Sequence, residues 1–193
     1  MENNTLIDLI KKTRSVRRFD ESVPIREEVL RTWIGNLRYT SSARNLQPLK
    51  YKIVTEKDDL ELIYPLLHWA GYLKDWDGPS QGERPTAFVI QLVDTDIATS
   101  ARFDEGIQLE ALMLQATAEG WSGCIIQAFN AAKLVASLSI PERFSPLSVI
   151  AFGKGIEQIV IEKLVADGSV QYWRTADEVH HVPKRIAEEL IIA

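Results

Sequence analysis

Thr86-Ala87-Phe88-Val89-Ile90-Gln91-Leu92-Val93 is a nearly continuous apolar run rich in β-branched residues. A half-exposed strand would alternate apolar and polar side chains, so this run reads as a strand buried on both faces. Leu147 to Phe152 reads the same way and is closed by Gly153. Between the two, Asp104 is placed to N-cap a long helix reaching Ala118. Ile107, Leu109, Ala111, Leu112, Met113, Leu114 and Ala116 leave that helix little polar face, which predicts a central, buried position. Gly120 is placed to end it.

Working outward, Leu6 to Thr13 reads as a first helix with Leu6, Leu9 and Ile10 on one side. Pro24 introduces a second, in which Ile25, Val29, Leu30, Trp33, Ile34 and Leu37 recur at helical spacing. Tyr51 to Thr55 reads as a strand, and Thr55 with Asp58 has the spacing of a capping box that would start a short helix near Lys57. Leu73 to Pro85, with Gly78, Pro79, Gly82 and Pro85, reads as a surface loop. Lys184 to Ile192 reads as helical or extended and within reach of a partner subunit. Helices and strands do not alternate as repeated βαβ units would, so the expected class is α+β, a sheet flanked by helices. With 193 residues, no internal repeat and no Gly/Ser/Pro linker, one domain over residues 1–193 is expected.

The composition, 46% hydrophobic and 25% charged, is that of a globular protein able to bury a core. A net charge of −5 disfavours nucleic acid as main partner, although it leaves room for a local basic pocket. Cys124 is the one cysteine, which excludes an intrachain disulfide. Met1 to Leu9 carries acids and asparagines where a signal peptide would need a basic start and an apolar run. No stretch approaches the roughly eighteen apolar residues of a membrane span. A cytoplasmic protein without a membrane partner is the expectation.

Three segments can carry chemistry. Arg14, Ser15 and Arg17 place two guanidinium groups and a hydroxyl in a short connector, suited to phosphate and polar ring atoms; a solvated basic turn is the bland alternative. Ser41 to Pro48 presents the amides of Asn45 and Gln47, each donor and acceptor at once, with hydroxyls from Ser41 and Ser42. An ordinary polar turn would look similar. Gly120-Trp121-Ser122-Gly123-Cys124-Ile125-Ile126-Gln127-Ala128 would let backbone approach a planar ligand closely, or simply turn a helix into a strand. Cys124 has small, apolar neighbours, so it reads as packing rather than as a nucleophile. Adjacent His180 and His181 point in different directions and make a poor metal pair, so no metal site is expected. Lys184 and Arg185 add two cations that could close on a phosphate.

Taken in order, these pieces resemble the nitroreductase-like flavoprotein family. Arg14-Ser15-Val16-Arg17-Arg18-Phe19 looks like its N-terminal Arg/His-Ser-x-Arg/Lys motif. Thr40-Ser41-Ser42-Ala43-Arg44-Asn45-Leu46-Gln47-Pro48 is similar to its Ala-Pro-Ser-Ala-Gly-Asn-Leu-Gln-Pro loop, with Arg44 where the family has glycine. Asp104 to Gly123, Ser148 to Gly153 and Val182 to Arg185 resemble its central helix and glycine turn, its last core strand and its basic C-terminal motif.

The resemblance implies a mixed central sheet flanked by helices in an intertwined homodimer with FMN at the subunit interface. It implies that Arg14, Ser15 and Arg17 contact phosphate, ribityl chain and the N1/O2 edge. Ser42, Asn45 and Gln47 would meet the ribityl chain and ring edge, and Gln127 and Ala128 would place backbone amides near flavin N5. Gly153, Lys184 and Arg185 would lie near the phosphate. The implied reaction is ping-pong hydride transfer from NADH or NADPH through N5 to a nitroaromatic, quinone or similar electron-poor acceptor, with no protein acid or base. The alternatives on this scaffold are another FMN reaction (dehalogenation, azoline oxidation, flavin breakdown) or a non-catalytic flavin-binding role. The stretch His68 to Trp76 falls outside the generic core; its aromatics could roof the flavin or pack against the dimer partner.

Overall fold

The computed structural model describes residues 5–164 and 168–192, so Met1 to Asn4, the start of the N-terminal stretch read above, lie outside it. In chain order the elements are α1 (Leu6–Lys12), β1 (Phe19–Asp20), α2 (Glu27–Asn36), β2 (Leu49–Val54), α3 (Lys57–Ile63), β3 (Ala87–Asp94) and α4 (Arg102–Ala118). There follow β4 (Ser122–Ile126), α5 (Ala131–Ser137), β5 (Phe144–Gly155), β6 (Ile159–Lys163), β7 (Trp173–Arg174), β8 (His180–Lys184) and α6 (Ala187–Leu190).

Every residue of β3 is buried, as the uninterrupted apolar run requires. Its alternate side chains serve two cores: Phe88, Ile90 and Leu92 on one face, Ala87 and Val89 on the other. β5 divides in the same way, Val149 and Ala151 against Ile150 and Phe152. The first core is closed by Ile63 of α3 and Leu134 of α5; the second by Leu30 and Trp33 of α2 and Leu109, Leu112, Met113 and Ala116 of α4. Helices on both faces of one sheet bear out the α+β expectation. At about 1.5–3 kcal/mol for each large side chain taken out of water, these two layers supply the main driving force of the fold.

The sheet order is β1-β5-β3-β2, with β4 also paired to β5, and the strand pairs are antiparallel. A parallel bridge between Ser15 and Gly123 makes the sheet mixed at its edge. Instead of closing at Gly153, β5 continues to Gly155, pairing first with β4 and then with β1. Gly153 is inside the strand because a Cβ there would stand 2.9 Å from the Phe19 ring.

Two helix starts differ from expectation. α3 is N-capped by Glu56 without a side-chain bond, so no Thr55–Asp58 capping box forms. α4 begins at Arg102 with Ala101 as N-cap, which places Asp104 inside the first turn and frees its carboxylate for another task. The helix ends as expected at Gly120 (φ +76°), where Trp121 N–H donates to the Ala116 carbonyl at 2.8 Å and Gly120 N–H to that of Thr117 at 3.1 Å. It is buried along one face only: Phe103 is 75% and Ile107 41% exposed in the single chain.

After β5 the chain forms a second sheet, β6-β8-β7, in which β6 and β8 run parallel. The sequence did not announce it. Lys184 closes β8, and only Ala187–Leu190 of the following tail is helical. Among the described residues no helix is long and apolar enough to cross a membrane.

Candidate functional site

The connector between α1 and β1 is laid against the sheet edge by Val16 N–H, which donates to the Gly123 carbonyl at 2.9 Å. A Cβ at Gly123 would lie 2.9 Å from the Ala151 carbonyl, Met113 Sδ and the Phe152 ring, all on β5 and α4. Its bareness thus serves sheet packing. Arg14 donates to the Ile10 carbonyl at 2.9 Å and to the Thr13 carbonyl, holding the end of α1. Arg17 donates to the Ser15 carbonyl at 3.2 Å, and its guanidinium lies 5.1 Å above the Tyr172 ring. Arg18 points elsewhere, paired with Glu83 at 2.6 Å and Glu178 at 2.7 Å.

Arg14, Ser15 and Arg17 line a pocket of 330 Å³ together with Lys184, Tyr172, His180, Ile159 and Val182 of the C-terminal segment. Thr13, Ile125 of β4 and Glu110 and Met113 of α4 complete the lining. Four of the residues picked out in the sequence therefore meet in one basic pocket. Of the two adjacent C-terminal cations, Lys184 lines it, whereas Arg185 pairs with Glu189 at 3.0 Å on the surface.

Behind the pocket lies a buried ion pair. Glu157, with a fully buried side chain, accepts from Arg174 at 2.5 Å and from the Arg17 backbone N–H at 2.8 Å. It fastens the C-terminal segment to the connector. His180 is 1% exposed and its Nδ1 has no hydrogen-bond partner. Burial pushes its pKa below the ordinary histidine value against the pull of Glu157, with Arg17 and Arg174 reinforcing the shift, so the ring is neutral.

A second group gathers at the N-terminal end of α4. The Asp104 carboxylate, 2% exposed, accepts from Ser42 Oγ and from Ala43 N–H at 2.8 Å. Ser42 Oγ in turn accepts from Gln47 N–H at 2.9 Å. Those bonds hold a loop in which Arg44 (φ +54°), Asn45 (φ +56°) and Gln47 (φ +52°) occupy left-handed backbone. Glycine would adopt that conformation without strain at position 44; asparagine tolerates it. Gln47 Nε2 donates to Asn45 Oδ1 at 3.1 Å and lines a separate pocket of 340 Å³ with Thr40, Tyr51 and Gln108. Gln127 Nε2 donates to Glu105 Oε1 at 2.9 Å, so it too is tied to the first turns of α4. Ala128 is exposed and its carbonyl accepts from His68 N–H at 2.9 Å.

One chain thus carries the sequence-selected residues as two clusters. Arg14, Ser15, Arg17 and Lys184 form one; Ser42, Asn45, Gln47 and Gln127 belong to the other. Gly153 lies under Phe19, and Arg185 is engaged elsewhere. Cys124 is a buried core residue whose thiol burial pushes up, as a packing role implies. Asp104 was read only as an N-cap and His180 only as a poor metal ligand, and Glu157 and Tyr172 were not singled out: partners far apart in sequence leave no local signal. His68 to Trp76 packs on its own chain, with Tyr72 edge-on to Tyr172 at 4.9 Å and Arg174 4.5 Å over Trp76.

A helix-flanked sheet with a basic pocket at its edge defines an α+β protein. Residues 10–154 match the Nitroreductase family, three quarters of the chain, and the chain belongs to that family. Among solved structures, a nitroreductase family protein of Streptococcus pneumoniae aligns with TM-score 0.67 at 19% identity, covering 84% of this chain and 96% of its own. An FMN-dependent nitroreductase of Clostridium difficile gives 0.65 at 20% identity, covering 79% and 89%. A nitroreductase-type protein of Desulfovibrio desulfuricans, solved in complex with FMN, gives 0.70 at 16% identity and covers 99% and 97%, so the C-terminal sheet has a counterpart there. No functionally curated protein matches the sequence.

Proposed function

We propose that this protein is an FMN-dependent NAD(P)H oxidoreductase whose flavin sites are shared between two copies of the chain. The observation that carries the reading is the convergence of Arg14, Ser15, Arg17 and Lys184 on one pocket in a nitroreductase-family fold. Three cations against the single carboxylate of Glu110 suit a phosphate ester, and an orphaned, buried His180 Nδ1 suits a polar ligand that has yet to meet it. FMN held there would take a hydride from NADH or NADPH and pass electrons to a nitroaromatic, quinone or related acceptor.

The chain's own residues set the conditions. Arg14 and Lys184 supply fixed positive charge for the phosphate, and Ser15 a hydroxyl for the ribityl chain. Arg17 would stabilise negative charge growing at the pyrimidine edge, and a neutral His180 adds no second positive charge beside it. No residue is needed as general acid or base.

A volume of 330 Å³ lies at the lower end of the ~300–1,000 Å³ range of ligand pockets, as half a site would. Both halves hang from α4. Asp104 secures the loop and Met113, nine residues on, lines the basic pocket, a separation of roughly 14 Å at 1.5 Å per residue. Two-fold pairing of antiparallel α4 helices through the exposed Phe103 and Ile107 brings the loop of each chain to the basic pocket of its partner.

The test is an anaerobic absorbance spectrum of the FMN-loaded protein before and after adding NADH or NADPH, with the oligomeric state measured on the same sample. Flavin bands that bleach in a dimer are expected. Bound flavin that no nicotinamide reduces would remove the proposed reaction but keep the site. No flavin after incubation with FMN would overturn the reading.

A further inference from the structure

Tyr172 has a second side. Beyond it opens a trough of 670 Å³, lined among others by Tyr72, Lys74, Trp76, Trp173 and Arg174. One wall is the His68–Trp76 stretch that the generic fold does not require; the other is the C-terminal segment around β7. Because Tyr172 belongs both to this trough and to the basic pocket, under Arg17, the two spaces share that residue as a wall.

The lining has a definite chemistry. Trp173 stacks one ring face on His181 (centroids 5.0 Å apart, planes 5° from parallel) and remains 44% exposed. Tyr72 is exposed beside it across the opening. Lys74 forms no salt bridge with a described residue, whereas Arg174, nine-tenths buried, is paired with Glu157 and Glu178; Asp75 and Glu178 also line the trough. Flat aromatic surface next to the Lys74 ammonium suits a purine base joined to phosphate. A compact acceptor needs only the face of the flavin; a ligand that occupies both spaces must be long.

We propose that the trough holds the adenylate half of a nicotinamide dinucleotide donor, the base against Trp173 and Tyr72 and phosphate near Lys74, while the nicotinamide passes Tyr172 to the face of the flavin held at the basic pocket. The proposal rests on the oxidoreductase reading above and assigns to that site a distal subsite on the same chain.

Two measurements separate the proposal from the reading it rests on. The first is calorimetric titration of ADP-ribose into the FMN-saturated full chain. The second is flavin bleaching against concentration of NADH and of reduced nicotinamide mononucleotide, which lacks the adenylate. ADP-ribose should bind, and NADH should half-saturate at a concentration at least about tenfold lower than the mononucleotide, the low side of what one base-on-aromatic contact contributes. Trp173→Ala and, as a surface change that leaves packing intact, Lys74→Glu should each weaken ADP-ribose and raise the NADH half-saturation several-fold. The mononucleotide curve should stay in place. Absence of ADP-ribose binding, equal half-saturation by the two donors, or variants that shift both donors alike would overturn the subsite even if the flavin bleaches. ADP-ribose binding abolished by Trp173→Ala, with no bleaching by either donor, would keep the subsite and sink the oxidoreductase reading.

Discussion

Asp104→Ala removes the group on which the Ser42–Gln47 loop hangs. In the native chain this buried carboxylate accepts from Ser42 Oγ and Ala43 N–H, and Ser42 Oγ accepts from Gln47 N–H. Hydrogen bonds to a charged acceptor contribute about 1.5–3 kcal/mol each, so the pair is worth about 3–6 kcal/mol before the cost of burying the carboxylate is set against it. After that offset the anchor should be worth about 2–4 kcal/mol. It opposes a strain of similar size, because Arg44, Asn45 and Gln47 sit in left-handed backbone at about 1–2 kcal/mol per residue, asparagine less. Without the anchor the loop therefore has no reason to keep its shape, and relaxation returns part of the loss. A net destabilisation of about 2 kcal/mol, or a melting temperature lower by about 4–8 °C for a chain of this size, is expected. Hydrogen exchange at the Ala43 and Gln47 amides should accelerate at the same time. Asp104→Asn, which can still accept from Ala43 N–H, should show less than half of either effect. A variant Asp104→Ala that melts with the native protein and exchanges its Ala43 amide no faster would refute the anchoring argument.

Arg44→Gly should raise stability by up to about 1 kcal/mol, since glycine adopts the φ of +54° without a Cβ clash; a thermal melt at or below the native one would show that Arg44 gains more from its side chain than its backbone loses. His180 should make stability pH-dependent in a known direction. With its pKa held low in the folded chain by burial, and with Glu157, Arg17, Arg174 and His181 around it, the unfolded chain takes up the proton first. Its contribution is therefore complete above about pH 6.5 and declines as pH falls through that value. The fall in denaturation midpoint between neutral and mildly acidic buffer should be smaller in His180→Gln; an equal fall in both would contradict the assignment.

The elements with one dominant period or a decisive stop were readable in advance. β3 is an apolar run because both its faces are covered, α2 repeats at helical spacing because one face meets the sheet, and Gly120 ends α4 because the chain needs positive φ there. The basic connector and the Ser42–Gln47 loop were readable as polar groups of the right kind at the right spacing. What escaped depends on partners distant in sequence. Asp104 looks like an N-cap locally, yet it bonds a loop some sixty residues earlier. Glu157 and Arg174 are ordinary surface types until folding buries them as a pair. β6 and β8 are short, half-buried and joined by a crossing segment, so neither carries a strong alternation of its own. Gly153 and Gly123 were read for ligand approach, whereas each serves packing against a neighbouring side chain or strand.

On the proposal of shared flavin sites, the two-cluster arrangement would link flavin affinity to association. If each flavin touches the basic pocket of one chain and the loop of another, ligand binding and pairing share one equilibrium, and a flavin present at a hundred times its dissociation constant adds about 2.7 kcal/mol to the paired state. The linkage also explains why so much structure holds the loop before any ligand arrives. A partner chain can use Ser42, Asn45 and Gln47 only if they are already in position, since ordering them at the moment of binding would cost backbone entropy on top of association. Asp104 removes that cost in advance from within α4, and Glu157 does the same for the other half by fixing the Arg17 backbone to the C-terminal segment. Each cluster is held by a buried carboxylate bonded to backbone N–H. A sequence search confined to ligand-type residues passes over both, because what they hold is backbone.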